Sequence, residues 1–218
     1  MKKLFGMLAG LALLITGGWG TAQAITLDLT VDHCTGGCGP GGGAVLAQVT
    51  LTDTAAGVDF SIMPSAGYLI HTGGNGLTTF DFSTNVPLTA ASITNLTSGF
   101  AFVSPNSNQD GFGSFTAGID GTTGTTFAGP LTFTVLGIDF SNFIMSTGGG
   151  DSTFFALDVA GNASGNTGLV GFSGLSVNPT VTPTPVPGAV WLFAGGIGGI
   201  GVLMRRRKKA IKQAASAA

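Results

Sequence analysis

The chain has 218 residues, of which 44% are hydrophobic and only 8% are charged, and its formal net charge is -2. All eight Lys and Arg residues lie near the two ends, at positions 2, 3, 205–209 and 212, whereas all ten acidic residues are Asp and lie between Asp28 and Asp158. The stretch between the ends therefore has ten negative and no fixed positive charges, a formal charge of -10. It repels polyanions, which excludes nucleic acid as a partner.

The first 24 residues have the order of a secretory signal peptide. Two lysines at positions 2 and 3 precede an apolar run, Met7 to Ile15, and the segment ends on the small residues Ala22 and Ala24. This order predicts export and cleavage after Ala24. Residues 1–24 are therefore left out of the predicted fold.

Residues 25–177 predict one all-β domain. The stretch Ile25–Val31 alternates apolar and polar residues without a fault, as a half-buried strand does. Similar short runs follow between turns, and at most Ile138–Met145 has room for a turn or two of helix. The predicted fold is an antiparallel β-sandwich of jelly-roll type. The other predicted strands are Val45–Leu51, Val58–Ile62, Thr79–Phe82, Ser92–Leu96, Phe100–Val103, Phe112–Thr116, Leu131–Leu136, Phe154–Val159 and Leu169–Phe172.

Phenylalanine supplies the predicted core. Fourteen of the sixteen Phe residues lie between Phe60 and Phe172. Each ring buries on the order of 150–250 Å². A stacking platform for sugars is the less favoured interpretation, because such platforms use Trp and Tyr, and this stretch has only Tyr68.

The C-terminal region consists of three successive segments. Residues 178–187 form a proline-rich stalk, residues 188–204 carry no charge, and residues 205–218 form a basic tail. A helix over the uncharged segment would span roughly 25 Å, just enough to cross a bilayer. The basic tail would stay in the cytoplasm, which places everything before it on the far side of the membrane.

This arrangement resembles the PEP-CTERM sorting signal of exported bacterial proteins. The matching parts are Val186-Pro187, the helix opening at 189–193, the glycine-rich stretch 195–201 and the basic run from Arg205. The chain departs from the family pattern by having Val where Pro-Glu-Pro has Glu. The alternative is a plain single-span tail anchor behind a proline-rich linker.

The resemblance implies two partners, the export translocon and an exosortase-like membrane protease, and a link to exopolysaccharide and biofilm. It also implies an inner-membrane-anchored precursor that later reaches the cell surface or the medium. The sorting residues it implies are Pro185, Val186, Pro187, Arg205, Arg206 and Arg207.

Cys34 and Cys38 are the only cysteines. Export favours oxidation, and the two glycines between them let the chain turn tightly, so a local disulfide is expected. A metal site made by His33 with both cysteines is an alternative, but it lacks a fourth ligand and the spacing of a zinc motif.

No motif points to catalysis, and the chain is not expected to be an enzyme. It contains two histidines, His33 and His71, and no Glu. A Ser-His-Asp triad through His71 is formally open, although no Gly-x-Ser-x-Gly elbow is present. No cofactor is expected. Calcium remains an option because aspartates are the only charges available, and the candidates are Asp28, Asp32, Asp110, Asp120 and Asp151.

The sequence thus predicts a non-enzymatic exported protein of the cell surface or extracellular matrix, with a structural or adhesive role. The alternative is a lectin-like module that binds a glycan or calcium.

Overall fold

A computed structural model describes residues 23–40, 43–73, 77–104, 108–109, 111–122, 124–161 and 165–174. All of them belong to the first of two compact units, Met1–Thr180. The second unit, Val181–Ala218, lies outside the described residues.

The described residues form strands joined by turns. Two short 3₁₀ turns, Ala90–Ser92 and Phe140–Asn142, are the only helical elements among them. The strands are β1 Gln23–Asp32, β2 Ala47–Thr54, β3 Gly57–Pro64, β4 Tyr68–Thr72, β5 Phe80–Phe82, β6 Ile93–Thr94, β7 Phe100–Val103, β8 Asn108–Gln109, β9 Gly113–Ser114, β10 Ala117–Gly121, β11 Thr125–Phe127, β12 Leu131–Leu136, β13 Thr147–Gly148, β14 Phe155–Gly161 and β15 Thr167–Phe172.

Twelve of these strands form one sheet in the order β6-β12-β3-β2-β1-β15-β14-β5-β10-β7, with β4 paired to both β14 and β11. A separate three-stranded sheet has the order β13-β9-β8. The strand pairs in both sheets are antiparallel. The predicted all-β antiparallel fold is confirmed.

The large sheet curls until its two halves pack on each other. Strands β3 and β5 are five places apart, which in a flat sheet would separate them by roughly 24 Å. Yet the ring of Phe60 on β3 lies 6.0 Å from Phe80 and 5.5 Å from Phe82 on β5. It also stacks on Phe133 of β12 at 4.4 Å. Phenylalanines from opposite halves therefore form the shared core.

The edges of the curled sheet come close together. Strand β7, at one edge, lies against the 3₁₀ turn Ala90–Ser92, which leads directly into β6 at the other edge. The hydrogen-bond ladders join all twelve strands into one sheet, whereas a sandwich has two. The β-sandwich of jelly-roll type stays a prediction.

A second, smaller core lies on the outer side of β14 and β15. Phe112 and Phe115 pack there against Ala156 of β14 and Leu169 of β15. The neighbours of Ala156 in β14, Phe155 and Leu157, belong to the main core instead. Strand β14 is thus buried on both faces, and the segment around β9 forms its outer cover.

The outer face of β1, β2, β3 and β12 has a polar surface instead. In register, Thr26, Thr50, Ser61 and Thr132 form a row of hydroxyl groups across the four strands. The hydroxyls of Thr26 and Thr50 hydrogen-bond at 3.0 Å. This face is compatible with water and supplies no core.

The predicted strands match the structure best where alternation is regular. Strands β7 and β12 have the predicted bounds, and β1 contains the predicted Ile25–Val31. The predicted strand Phe112–Thr116 is longer than the observed strand. Only Gly113–Ser114 pairs in a ladder, because the flanking Phe side chains enter the second core. The stretch Ile138–Met145 contains a single 3₁₀ turn. Asp139 caps the start of this turn, because its side chain accepts a hydrogen bond from the Ser141 amide.

The predicted terminal segments fall almost entirely on residues that the structure does not describe. Of the predicted signal peptide, 1–24, the structure describes only Gln23 and Ala24. Three predicted segments lie wholly outside the described residues: the stalk (178–187), the transmembrane helix (188–204) and the basic tail (205–218). Within the described ranges, no helix has the length and apolar character needed to span a membrane.

The packing of Phe60 gives a first prediction. Because Phe60 contacts rings from both halves of the sheet, Phe60→Ala should lower the free energy of unfolding by about 3–5 kcal/mol. Phe102→Ala, on the partly buried edge strand β7, is the matched control and should cost less. Urea denaturation measures both, and equal losses would contradict the central place of Phe60.

Candidate functional site

A cluster of buried and half-buried polar side chains lies on the outer side of the sheet, where β4, β14, β5 and β10 lie side by side. It consists of His71 on β4, Asp81 on β5, Asp120 on β10 and Asp158 on β14. Asp81 is 0% and Asp158 1% exposed. These aspartates alternate with core residues along their strands, so the pleat that points Phe80 and Phe82 inward points Asp81 outward, under the second layer.

His71 and Asp158 form the best-defined pair of this cluster. Nδ1 of His71 lies 2.8 Å from Oδ2 of Asp158. Burial raises the pKa of Asp158, and the hydrogen bond and charge of His71 oppose that rise. The histidine thus compensates a carboxylate that no Lys or Arg of this domain can reach, since residues 25–187 contain none.

The environment of Asp81 disfavours a charged carboxyl more strongly than that of Asp158 does. Burial raises the pKa of its carboxyl well above the usual range, the charges of Asp120 and Asp158 raise it further, and a hydrogen bond with Thr78 lowers it. Asp120 itself accepts hydrogen bonds from the Thr79 hydroxyl and the Gly121 amide, both at 2.9 Å. Three carboxyls thus share one region with one histidine, which favours the protonated form of Asp81.

The other histidine also pairs with an aspartate. Nε2 of His33 lies 2.9 Å from Oδ2 of Asp151, and its ring packs on Phe112 with the centroids 4.3 Å apart. The backbone of Gly111 passes directly beneath the ring, since a Cβ at that position would lie 1.8 Å from Nδ1. The His33 ring is therefore fixed in orientation by three neighbours.

Next to His33 lies the loop of the two cysteines. The sulfur atoms of Cys34 and Cys38 are 1.95 Å apart, so the expected pair is seen at disulfide distance. The Asp32 carboxylate accepts hydrogen bonds from the backbone amides of Cys34, Cys38 and Gly39 at 2.9–3.0 Å. Bond and carboxylate together hold the loop in one shape.

A cavity of about 580 Å³ opens between this loop and residues 165–168 at the start of β15. Its lining residues are His33, Thr35, Leu77, Gly165, Asn166, Thr167 and Gly168.

The geometry of His71 matches only part of a catalytic triad. Its Nδ1 bonds an aspartate, as in a triad, but among the described residues no serine hydroxyl bonds its other nitrogen. Asp81 and Asp158 in this cluster are buried, whereas paired-carboxylate hydrolysis needs two carboxyls that reach a substrate.

The metal options from the sequence find little geometric support in the described part of the chain. The one group of three ligand-type side chains close enough there to hold an ion is Asp32, Cys34 and Cys38, whose sulfurs are bonded to each other. His33 bonds Asp151 rather than the cysteines.

The described calcium candidates have other neighbours or lie on different strands. Asp28 accepts a hydrogen bond from Gln48, Asp120 lies in β10, and Asp110 lies outside the described residues. The sequence analysis places Asp81 and Asp158 in strands but does not identify their side chains as buried. The apolar run around Asp158, Phe-Phe-Ala-Leu-Asp-Val-Ala, was a usable signal that both faces of that strand are covered.

Of the predicted sorting and processing residues, only Ala24 is described, and it pairs with Thr52 in β1–β2. Ala22 and the residues Pro185, Val186, Pro187, Arg205, Arg206 and Arg207 lie outside the described residues.

Comparison with known proteins gives no relative: no family model, no curated protein and no solved structure matches this chain.

The buried carboxyls predict how stability depends on pH. A folded-state pKa above the unfolded value means that the native protein binds more protons, so stability present in acid is lost as pH rises through the folded pKa. The melting temperature should therefore fall as the pH rises above about 4, the usual range of an Asp carboxyl. Asp81→Asn should flatten this slope and stabilise the protein at the alkaline end of the series, whereas Asp28→Asn, on an exposed position, should leave the slope unchanged. A slope that survives in Asp81→Asn would contradict the assignment.

The cysteine loop gives a further prediction. The ring closed by Cys34 and Cys38 is small, so Cys34→Ser with Cys38→Ser should lower the free energy of unfolding by at most about 2 kcal/mol. The far-UV circular dichroism should stay that of the native sheet. Dithiothreitol should lower the stability of the native protein by the same amount and leave the stability of the double variant unchanged. Loss of the whole fold on reduction would contradict this prediction.

Proposed function

We propose that this chain is a non-enzymatic exported protein of the cell surface or extracellular matrix, sorted through a C-terminal signal of the PEP-CTERM type. The observation that carries the proposal is the distribution of charge. The eight fixed cations lie only in the two end segments, and the body between them has none. Cations at the two ends and none between suit a chain that is threaded outward and held at a lipid boundary.

In this proposal the export translocon passes the body across the membrane, and an exosortase-like protease acts near Pro185, Val186 and Pro187. The basic residues that begin at Arg205 keep the tail on the cytoplasmic side until then. Cleavage after Ala24 removes two residues from β1 and leaves the pairs from Ile25↔Leu51 onward intact. The fold and the signal-peptide cleavage are therefore compatible.

The body acts as a structural or adhesive component, in contact with exopolysaccharide. A phenylalanine core and a hydroxyl-covered outer face support this role, because they give a stable body with a surface that hydrogen-bonds neutral polymers. The two packed halves of the curled sheet serve as the layers of a jelly-roll-type sandwich. A catalytic role is disfavoured by the burial of Asp81 and Asp158.

A second candidate function is a lectin-like module that binds a glycan. It is favoured by the cavity of about 580 Å³ beside the cysteine loop, which falls in the size range of ligand pockets.

The proposal is tested by intact mass spectrometry of the protein from the medium and from membranes. The membrane form should begin at Ile25 and retain the basic tail, and the medium form should end near Pro187. Replacing Arg205, Arg206 and Arg207 by Ala should abolish the medium form, since the stop that positions the tail is lost, whereas Lys212→Ala should process normally. Recovery of full-length protein in the cytosol would overturn the proposal.

A further inference from the structure

The cavity beside the cysteine loop has walls that are fixed before any ligand arrives. One wall is the loop, held by the disulfide and by the Asp32 carboxylate. The other is the turn before β15, which is tied to the loop because the Asn166 side-chain amide donates to the Gly37 carbonyl at 2.9 Å. A preformed pocket lowers the ordering cost of binding.

Close contact between the walls depends on one glycine. Gly168 of β15 has φ +156°, and a Cβ there would lie 2.7 Å from the Cα of Cys34. Any side chain at this position would push the loop away from the sheet. The shape of the cavity therefore depends on Gly168 in one wall and on the cysteine loop in the other.

The lining combines hydroxyl groups with a small apolar surface. Thr35 and Thr167 are exposed at the mouth, and their hydroxyls can donate and accept hydrogen bonds. Leu77 is half-buried and contributes apolar contact. Nε2 of His33 is hydrogen-bonded to Asp151, so the His33 ring offers a ligand mainly van der Waals contact.

The charges disfavour an anionic ligand. None of the described lining residues carries a fixed charge, and residues 25–187 have a formal charge of -10 from ten Asp and no Lys or Arg. An anion would be repelled by these aspartates and would find no cationic partner among those residues. A molecule with hydroxyls on its edges and C–H groups on its faces matches both parts of the lining.

We propose that this cavity binds a neutral saccharide of one or two sugar units through the hydroxyls of Thr35 and Thr167, with the sugar face on Leu77 and the His33 ring. The site rests on the second candidate function, the lectin-like module, and names its ligand class. It is independent of sorting, because a correctly processed protein can lack binding and a binding-competent one can fail to be processed.

The test titrates the purified full-length protein with lactose, cellobiose and mannobiose, and with glucuronic acid as the anionic probe, by isothermal calorimetry and amide NMR shifts. At least one neutral disaccharide should bind saturably and shift the amides of Thr35 and Thr167, and glucuronic acid should not. The double variant Thr35→Val, Thr167→Val should weaken binding about tenfold, the effect of losing two hydrogen bonds. Thr26→Val with Thr50→Val, on the distant hydroxyl row, is the matched control and should bind as the native protein does.

A melting curve shows whether each variant is folded. If the double variant does not fold, Thr35→Ala, a change in an exposed loop side chain, tests the same contact. Absence of saturable binding to all three disaccharides would overturn the proposal. So would unchanged binding in the folded Thr35 variants, or equal binding of glucuronic acid.

Discussion

The contact on which the architecture depends is the packing of Phe60 and Phe133 against Phe80 and Phe82 across the inside of the curled sheet. These rings come from strands far apart in the sheet order, so the contact cannot form unless the intervening strands bend round. Burial of several rings supplies the driving force, and their edge and offset arrangements give it direction. The curvature of the sheet and the position of its outer face both follow from this closure.

The second constraint is charge. A body without Lys or Arg can compensate a buried carboxylate only with histidine, hydroxyl and amide donors, or with a proton. It uses each of these means: His71 bonds the buried Asp158, the Thr79 hydroxyl and the Gly121 amide bond the half-buried Asp120, and the buried Asp81 has a raised pKa. The two histidines therefore act as structural counterparts of aspartates, the role that lysine and arginine have in most domains.

The sequence was sufficient to predict those parts of the fold in which side chains alternate between core and water. Strand β12 is an example, with Leu131, Phe133 and Val135 buried. It was insufficient for β10, Ala117–Gly121, whose glycines give no alternation, and for β4. Nor could it foresee the second layer over β14, because the cover comes from distant residues such as Phe112. The cysteine pair was predictable from local spacing and export, whereas the cavity beside it was not, since its other wall lies more than a hundred residues along the chain.

The short edge strands of the large sheet limit how a second copy of the chain can pair with it. Strand β6 is two residues long and β7 is four, and both lie beside the same 3₁₀ turn. An open edge of this length offers few free amides and carbonyls to a neighbouring copy. Strand addition at these two edges would therefore gain few backbone hydrogen bonds, so that a contact made there between two copies would depend on side chains.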